Sequence, residues 1–204
     1  DASTPRFRYE FDGVDDYVSI PTIGLVAGDV IKLKLAKSVS SARYILRDSI
    51  LNLIFLREWS DGTAYFSGGS LTIDGVPAVS LTTPFPNDGL EHELEFTVNT
   101  TSQLSVLGAR GDTFAESIDY PIYDVEFTSA SGNRFYAMDD NSQTLVDSVS
   151  GQDGTIQNYD ASHWLFRTLT DGIIENYDAS SWEFGNLTDG TIINYDPTHW
   201  VRNN

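Results

Sequence analysis

The sequence has no cysteine, few basic residues and no long apolar run. Without cysteine there is no disulfide, no thiolate metal site and no cysteine nucleophile, so stability has to come from packing. Only 12 lysines and arginines stand against 30 aspartates and glutamates, which gives a net charge of -18 at pH 7. So acidic a chain repels phosphates, and we therefore expect no nucleic-acid partner. No segment reaches the roughly 20 apolar residues of a membrane span, so we also expect no membrane insertion.

What is present suffices for a folded domain. A chain of 204 residues, 40% of them hydrophobic, can build the core of one large β sandwich, with or without a small appendage. The chain starts at Asp1 without methionine and without a basic-then-apolar signal peptide, so we expect a processed chain or a fragment of a longer one.

Apolar and polar residues alternate with a period of two, and turn residues interrupt the alternation every dozen or so positions. No stretch keeps an apolar period of 3.6 residues for three turns. Turns such as Asp12-Gly13 and Asp74-Gly75 separate the alternating segments. The pattern predicts an all-β, antiparallel two-sheet sandwich with strands at 6–11, 17–20, 29–36, 51–56, 64–67, 71–73, 93–98, 104–107, 122–128 and 134–138.

A motif of the form DGxIxNYDxxxW returns every 18 residues near the C-terminus. Its three copies cover residues 153–164 (copy one), 171–182 (copy two) and 189–200 (copy three), and seven of the twelve positions are the same residue in all three. Because each copy is too short to hold a core of its own, copies have to stack on each other or on another surface.

The repeat divides the chain into residues 1–152 and a C-terminal β repeat at 153–204, whose copy one also has the position to close the sandwich. Two arrangements fit the repeat: stacked coils, and hairpins added to a sheet edge. Stacked coils align the isoleucines and tryptophans in ladders, and three chains that bury each other's ladders would form a trimer. The predicted oligomer interface consists of Ile156, Trp164, Ile174, Trp182, Ile192 and Trp200.

Three segments resemble one family. Residues 11–18, with the sequence FDGVDDYV, look like the first-strand signature of laminin-G-like, concanavalin A-like jellyroll domains. Residues 88–94, DGLEHEL, are similar to the family's Asp-Gly-x-x-His strand entry, and residues 136–154 are similar to its segment rich in Gly, Ser and Asp that leads to Asp-Gly-Thr-Ile.

The resemblance covers roughly residues 6–164 and implies a jellyroll. Domains of this kind with short C-terminal repeats occur in bacteriophage tail and virion proteins and in bacterial surface proteins. The implied function is a virion structural or assembly protein, located in a virion or at a cell surface, that contacts other virion proteins and binds host cell-surface glycans. A carbohydrate-binding module of a secreted bacterial protein is the alternative, and a jellyroll glycanase is the third.

Asp12, Asp15 and Asp16 lie within five residues around a glycine turn. Hard carboxylate oxygens at such a turn are suitable ligands for calcium, and proteins that resemble this family often carry a structural calcium there or nearby. We therefore predict calcium as the one candidate cofactor, with a solvated acidic turn as the alternative.

Trp59 and Tyr65 are the candidate carbohydrate-binding residues, because a flat ring stacks on the apolar face of a sugar and Trp59 precedes an Asp-Gly turn. Glu91, Glu93 and Glu95 alternate along one predicted strand, a pattern also found in jellyroll glucanases. Because their motif needs an aspartate flanked by apolar residues and His92 interrupts that pattern here, we predict no catalytic residue and no enzyme.

Overall fold

A computed structural model of the chain describes residues 7–9, 11–38, 42–48, 55–109, 118–138, 142–160, 164–166, 173–174 and 191–192. Within these ranges every regular element is a β-strand, and there is no helix. In chain order the strands are β1 (Phe7–Tyr9), β2 (Tyr17–Leu25), β3 (Val30–Ala36), β4 (Tyr44–Arg47), β5 (Phe55–Glu58), β6 (Ala64–Ser67), β7 (Gly69–Ile73), β8 (Val76–Pro77), β9 (Glu91–Val98), β10 (Ser102–Leu107), β11 (Ile122–Thr128), β12 (Arg134–Ala137), β13 (Thr144–Leu145), β14 (Gly154–Gln157), β15 (Trp164–Phe166), β16 (Ile173–Ile174) and β17 (Thr191–Ile192).

The strands form two large antiparallel sheets. The first has the order β15-β1-β11-β3-β9-β7-β8, with β12 paired to β11, and the second has the order β13-β14-β2-β10-β4-β5-β6. The chain passes between the sheets many times, so that neighbouring strands are often distant in sequence. This confirms the predicted fold class at the level of an all-β, two-sheet sandwich.

Alternation along the strands explains the two layers. In β3, Ile31, Leu33 and Leu35 are fully buried, whereas the intervening Lys32 and Lys34 are half-buried on the outer face. Side chains from the inner face of the second sheet join the same core, among them Val18, Ile23, Leu46, Leu56, Leu104 and Ile156.

Most predicted strands are present, with shifted ends. The bounds 64–67 and 122–128 agree with β6 and β11, and β2 and β9 are longer than predicted. For the strand predicted at 51–56, β5 begins at Phe55, and residues 51–54 lie outside the described part of the chain. Before the repeat, three described strands, β4, β8 and β13, were not predicted.

The three copies of the repeat are placed differently. Copy one closes the second sheet, since β14 lies between β13 and β2 with Ile156 opposite Val18. Its last residue, Trp164, begins β15, which pairs with β1 at the edge of the first sheet. Copies two and three contribute β16 and β17, which pair in parallel with Ile174 opposite Ile192.

The residues predicted to form the oligomer interface therefore do not all lie in one ladder. Ile156 lies in the sandwich core because its strand pairs with β2, so it does not share a ladder with Ile174 and Ile192. Trp182 and Trp200 lie outside the described residues.

Candidate functional site

The outer face of the second sheet carries a group of aromatic side chains around one arginine. Tyr44 on β4 lies opposite Arg57 on β5, and Arg57 lies opposite Tyr65 on β6, so Arg57 has a tyrosine on each neighbouring strand. These side chains face outward because the alternate residues of β5, Leu56 and Glu58, are buried.

Contacts between the rings fix this surface. Trp59 and Tyr65 have ring centroids 4.8 Å apart at an interplanar angle of 76°, and Tyr65 and Phe55 are also 4.8 Å apart, at 61°. The Arg57 guanidinium lies 4.3 Å from the Tyr44 centroid and 5.2 Å from that of Trp59. Edge-to-face ring pairs and cation–π contacts are both attractive, so this set of five side chains, the aromatic–arginine face, is held in place.

The face contains both predicted carbohydrate-binding residues. Trp59 is 39% exposed and Tyr65 is half-buried. Next to them, the Asp61 carboxylate accepts hydrogen bonds from the Thr63 hydroxyl and backbone N–H at 2.6 and 3.0 Å, and these bonds lower the pKa of Asp61. The turn after Trp59 is thereby ordered.

Sequence reasoning missed the other members of the face. Tyr44 lies on a strand that was not predicted, and only cross-strand register brings it beside Arg57. A usable signal existed in the alternating trio Phe55, Arg57 and Trp59, which a single strand places on one side.

The acidic turn after β1 brings together its three predicted carboxylates. One carboxylate oxygen from each of Asp12, Asp15 and Asp16 lies within 4.8 Å of the others. Asp16 is buried and accepts a hydrogen bond of 3.0 Å from the Tyr9 hydroxyl, whereas Asp12 and Asp15 are exposed. The donor set fits a calcium ion in charge and in oxygen spacing.

Copy one of the repeat is attached to this same turn. The Asn158 amide donates to the Asp15 carbonyl at 2.9 Å, and the Tyr159 ring stacks on Tyr9 with centroids 5.7 Å apart. The Asp160 N–H donates to the Tyr9 hydroxyl at 3.1 Å. The acidic turn and copy one therefore form one structural unit.

The acidic row on β9 is a solvated strand face. Glu93 and Glu95 lie on the outer side of β9, because Leu94 and Phe96 are buried between and after them. Lys32 on the neighbouring strand forms an ion pair of 3.2 Å with Glu95. Cross-strand pairing of opposite charges therefore stabilises this part of the row.

A cavity of about 460 Å³ opens at the end of β2 and β10. Its lining includes Leu25, Val26 and Gln103, and the buried Asp48 carboxylate, which accepts a hydrogen bond of 2.6 Å from the Ser102 hydroxyl. The volume suits a small molecule.

The comparisons with known proteins identify no relative of this chain. No protein-family model, no curated protein and no solved structure matches this chain. Among the described residues, none forms a helix with the length and apolar character that crossing a membrane requires. The class defined by fold and site is thus a two-sheet β sandwich with an outward aromatic–arginine face and a C-terminal repeat, and the resemblance to laminin-G-like jellyroll domains stays a prediction.

Proposed function

We propose that this chain is a non-enzymatic structural protein of a virion, a phage tail component or capsid appendage, that assembles through its C-terminal repeat. The observation that carries the proposal is the parallel pairing of β16 with β17, in which residues 173 and 174 lie opposite residues 191 and 192. The offset is one repeat, so equivalent residues of copies two and three lie side by side.

Such pairing is what stacked coils produce. Each copy adds a strand to the one before it in the same direction, and identical side chains form a ladder. A parallel pair this short is weak alone, so the proposal gives it partners from neighbouring chains, with a trimer as the favoured state. The repeated passage of the chain between the two sheets supports the proposed jellyroll.

The native mass of the full chain tests the assembly. We expect a trimer by light scattering that dissociates when Ile174 and Ile192 are both changed to Glu, because six charges would enter the ladders. The control is Val149→Glu, which adds a charge at a side chain that is 59% exposed. A trimer that survives the double substitution, or a monomeric parent chain, would contradict the proposal.

Carbohydrate binding at the aromatic–arginine face is the second candidate function, either as host attachment by the same particle or as a binding module of a secreted bacterial protein. The observation that favours it is the exposed Trp59 ring braced by Tyr65 and Arg57. Rigid rings stack on sugars with little loss of conformational entropy, and a neighbouring guanidinium donates to hydroxyls or carboxylates.

A glycan array with the parent chain and two variants tests this second function. We expect Trp59→Ala to weaken binding about tenfold, the size of one lost stacking contact. Val76→Ala, at an exposed position on the first sheet, should bind as the parent does. Equal binding by the parent and Trp59→Ala would exclude this face.

Calcium at Asp12, Asp15 and Asp16 is proposed as a structural ion that fastens the first turn to copy one. Bound calcium should raise the melting temperature, and a melting temperature indifferent to calcium and chelator would contradict this calcium site.

A glycanase is the least supported function, because Lys32 neutralises Glu95 in the acidic row. Turnover of a β-glucan that is lost in Glu93→Gln would revive it.

A further inference from the structure

Copy one occupies a well-defined place in the sandwich, which we call the copy-one slot. Its walls are β13, β2, and the Tyr9 ring with the acidic turn beside it. Within the slot Ile156 is fully buried and Gly154 is tightly enclosed: a Cβ on Gly154 would come within 3.1 Å of the Ile20 side chain and 3.2 Å of the Ser19 carbonyl. The slot therefore selects its occupant by shape.

Most residues of copy one that contact the slot are ones that all copies share. Beyond Gly154 and Ile156, the Asp153 carboxylate accepts the Asp147 N–H at 2.9 Å, and Asn158, Tyr159 and Asp160 make the contacts with Tyr9 and the acidic turn described above. All six positions carry the same residue in copies two and three.

The positions that differ between copies face away from the core. Thr155 and Gln157 are half-buried on the outer side of β14, and copy two has Ile173 and Glu175 there. The Gln157 amide donates to the Ser19 hydroxyl at 2.7 Å on this outer face, and that bond differs in copy two. Neither outer position belongs to the core, so copy two offers the slot the same buried surface as copy one.

Chain connectivity allows copy two to reach the slot. With copy one in place, residues 146–153 connect β13 to β14, and with copy two in place the connection would run over residues 146–171. Loop-closure entropy grows only with the logarithm of length, so the roughly threefold longer connection disfavours copy two by only about sixfold in population.

We infer that the copy-one slot is a receptor for the repeat unit as such, and that copy two of the same chain is its alternative occupant. The tandem copies then supply spare closing strands: when copy one leaves the slot, copy two closes the sandwich. This inference does not depend on the proposed oligomer.

The absence of cysteine makes the exchange directly measurable. Ser19 lies opposite Thr155 on the outer face of the second sheet, and Ile173 is the copy-two equivalent of Thr155. In the full chain with Ser19→Cys and Ile173→Cys, slow oxidation should trap a bond between positions 19 and 173 within one chain, identified by peptide mass mapping. The pair Ser19→Cys and Thr155→Cys is the positive control for geometry.

Two pairs of substitutions, one in copy one and one in copy two, test whether the copies compete for the slot. Asn158→Ala with Tyr159→Ala removes docking contacts of copy one only and should increase the yield of the 19–173 bond several-fold. The matched control, Asn176→Ala with Tyr177→Ala, makes the same change in copy two and should reduce that yield.

Two results would overturn the inference. One is the absence of a 19–173 bond under conditions where the 19–155 bond forms, which would show that copy one alone fits the slot. The other is a 19–173 bond found only in disulfide-linked dimers, which would exclude the same chain as the source of copy two. Light scattering on the same samples reports the oligomer separately, so failure of the proposed assembly is distinguishable from failure of the exchange.

Discussion

The carboxylate of Asp147 organises the loop that leads into copy one. It is 3% exposed and accepts hydrogen bonds from the Phe135 and Val149 N–H groups at 3.0 Å each, and from the Ser150 hydroxyl. Burial by itself would raise the pKa of Asp147, but the hydrogen bonds outweigh burial and lower the pKa to about 2. The ionised form is therefore the one that fits the folded loop.

We predict that Asp147→Asn lowers the free energy of unfolding by about 2 kcal/mol at pH 7, the equivalent of the pKa shift. Since the folded pKa lies below the unfolded value, this contribution is present above about pH 4 and is lost as the pH falls through about 2. Chemical denaturation of parent and variant at pH 7 and pH 2 measures it. Glu126→Gln, at an exposed carboxylate, is the control, and a difference that persists at pH 2 would contradict the assignment.

Single residues were also where sequence reasoning had least to offer. Trp59 and Tyr65 could be proposed from residue type and a nearby turn, but Arg57 could not, because its position between two rings depends on the register of three strands. The acidic turn could be read from sequence since its three carboxylates are local. The partner of that turn, Asn158, is 143 residues from Asp15 and was out of reach.

The second residue of β9 is a histidine held between two aspartates. His92 contacts the Asp74 carboxylate through Nδ1 at 2.6 Å and the Asp88 carboxylate through Nε2 at 2.9 Å. Burial would lower the pKa of His92, but the two carboxylates raise it above its usual value, and His92 lowers the pKa of both aspartates. The Asp-Gly-x-x-His spacing thus fastens the turn before β9 to the strand.

For this element we predict a pH-dependent stability. Because the folded pKa of His92 is raised, its contribution is complete below the unfolded value near 6.5 and is lost as the pH rises through the folded value. The difference in free energy of unfolding between the parent chain and His92→Asn should therefore be larger at pH 5 than at pH 9. Denaturant titrations at both pH values measure this, and an unchanged difference would show that the aspartates do not bind the charged ring.

Strict alternation made some elements predictable from sequence. β3 alternates buried apolar residues with half-buried ones and was predicted to within one residue, whereas β4 was missed because three of its four residues are buried in succession. The register between β4 and β5 shifts between Tyr44 and Leu46, and such an irregularity removes the period of two on which the prediction depends.

At the scale of the whole molecule, one buried ion pair joins the two sheets. Lys37 follows β3 in the first sheet, and its ammonium lies 2.5 Å from the Glu58 carboxylate at the end of β5 in the second. Both side chains are at most 1% exposed, Asn87 donates to Glu58 at 3.1 Å, and the Lys37 ammonium lies 4.6 Å from the Tyr120 ring centroid.

Removing one partner of this ion pair should destabilise the fold, whereas replacing both partners by apolar residues should not. Lys37→Met leaves the Glu58 charge buried without its cation, so we predict a loss of about 3 to 5 kcal/mol in the free energy of unfolding. Lys37→Met combined with Glu58→Leu should recover most of that loss, because an apolar pair needs no desolvation of charge. A double variant as unstable as the single one would mean that the site depends on the carboxylate and not on the pair.

Pro77 blocks strand addition at one edge of the first sheet. The Ala78 N–H donates to the Leu71 carbonyl, so Thr72 and Pro77 face each other without a direct hydrogen bond, and the Pro77 nitrogen is turned toward the outer side of β8. Proline has no N–H to offer an incoming strand there. In the other sheet the edge strand β6 is covered by the segment that bonds through Leu81 and Thr83. Among the described strands, both sheets are thus terminated on this flank, so growth by strand addition is polar and is favoured from the opposite flank, where β13, β15 and copy one lie.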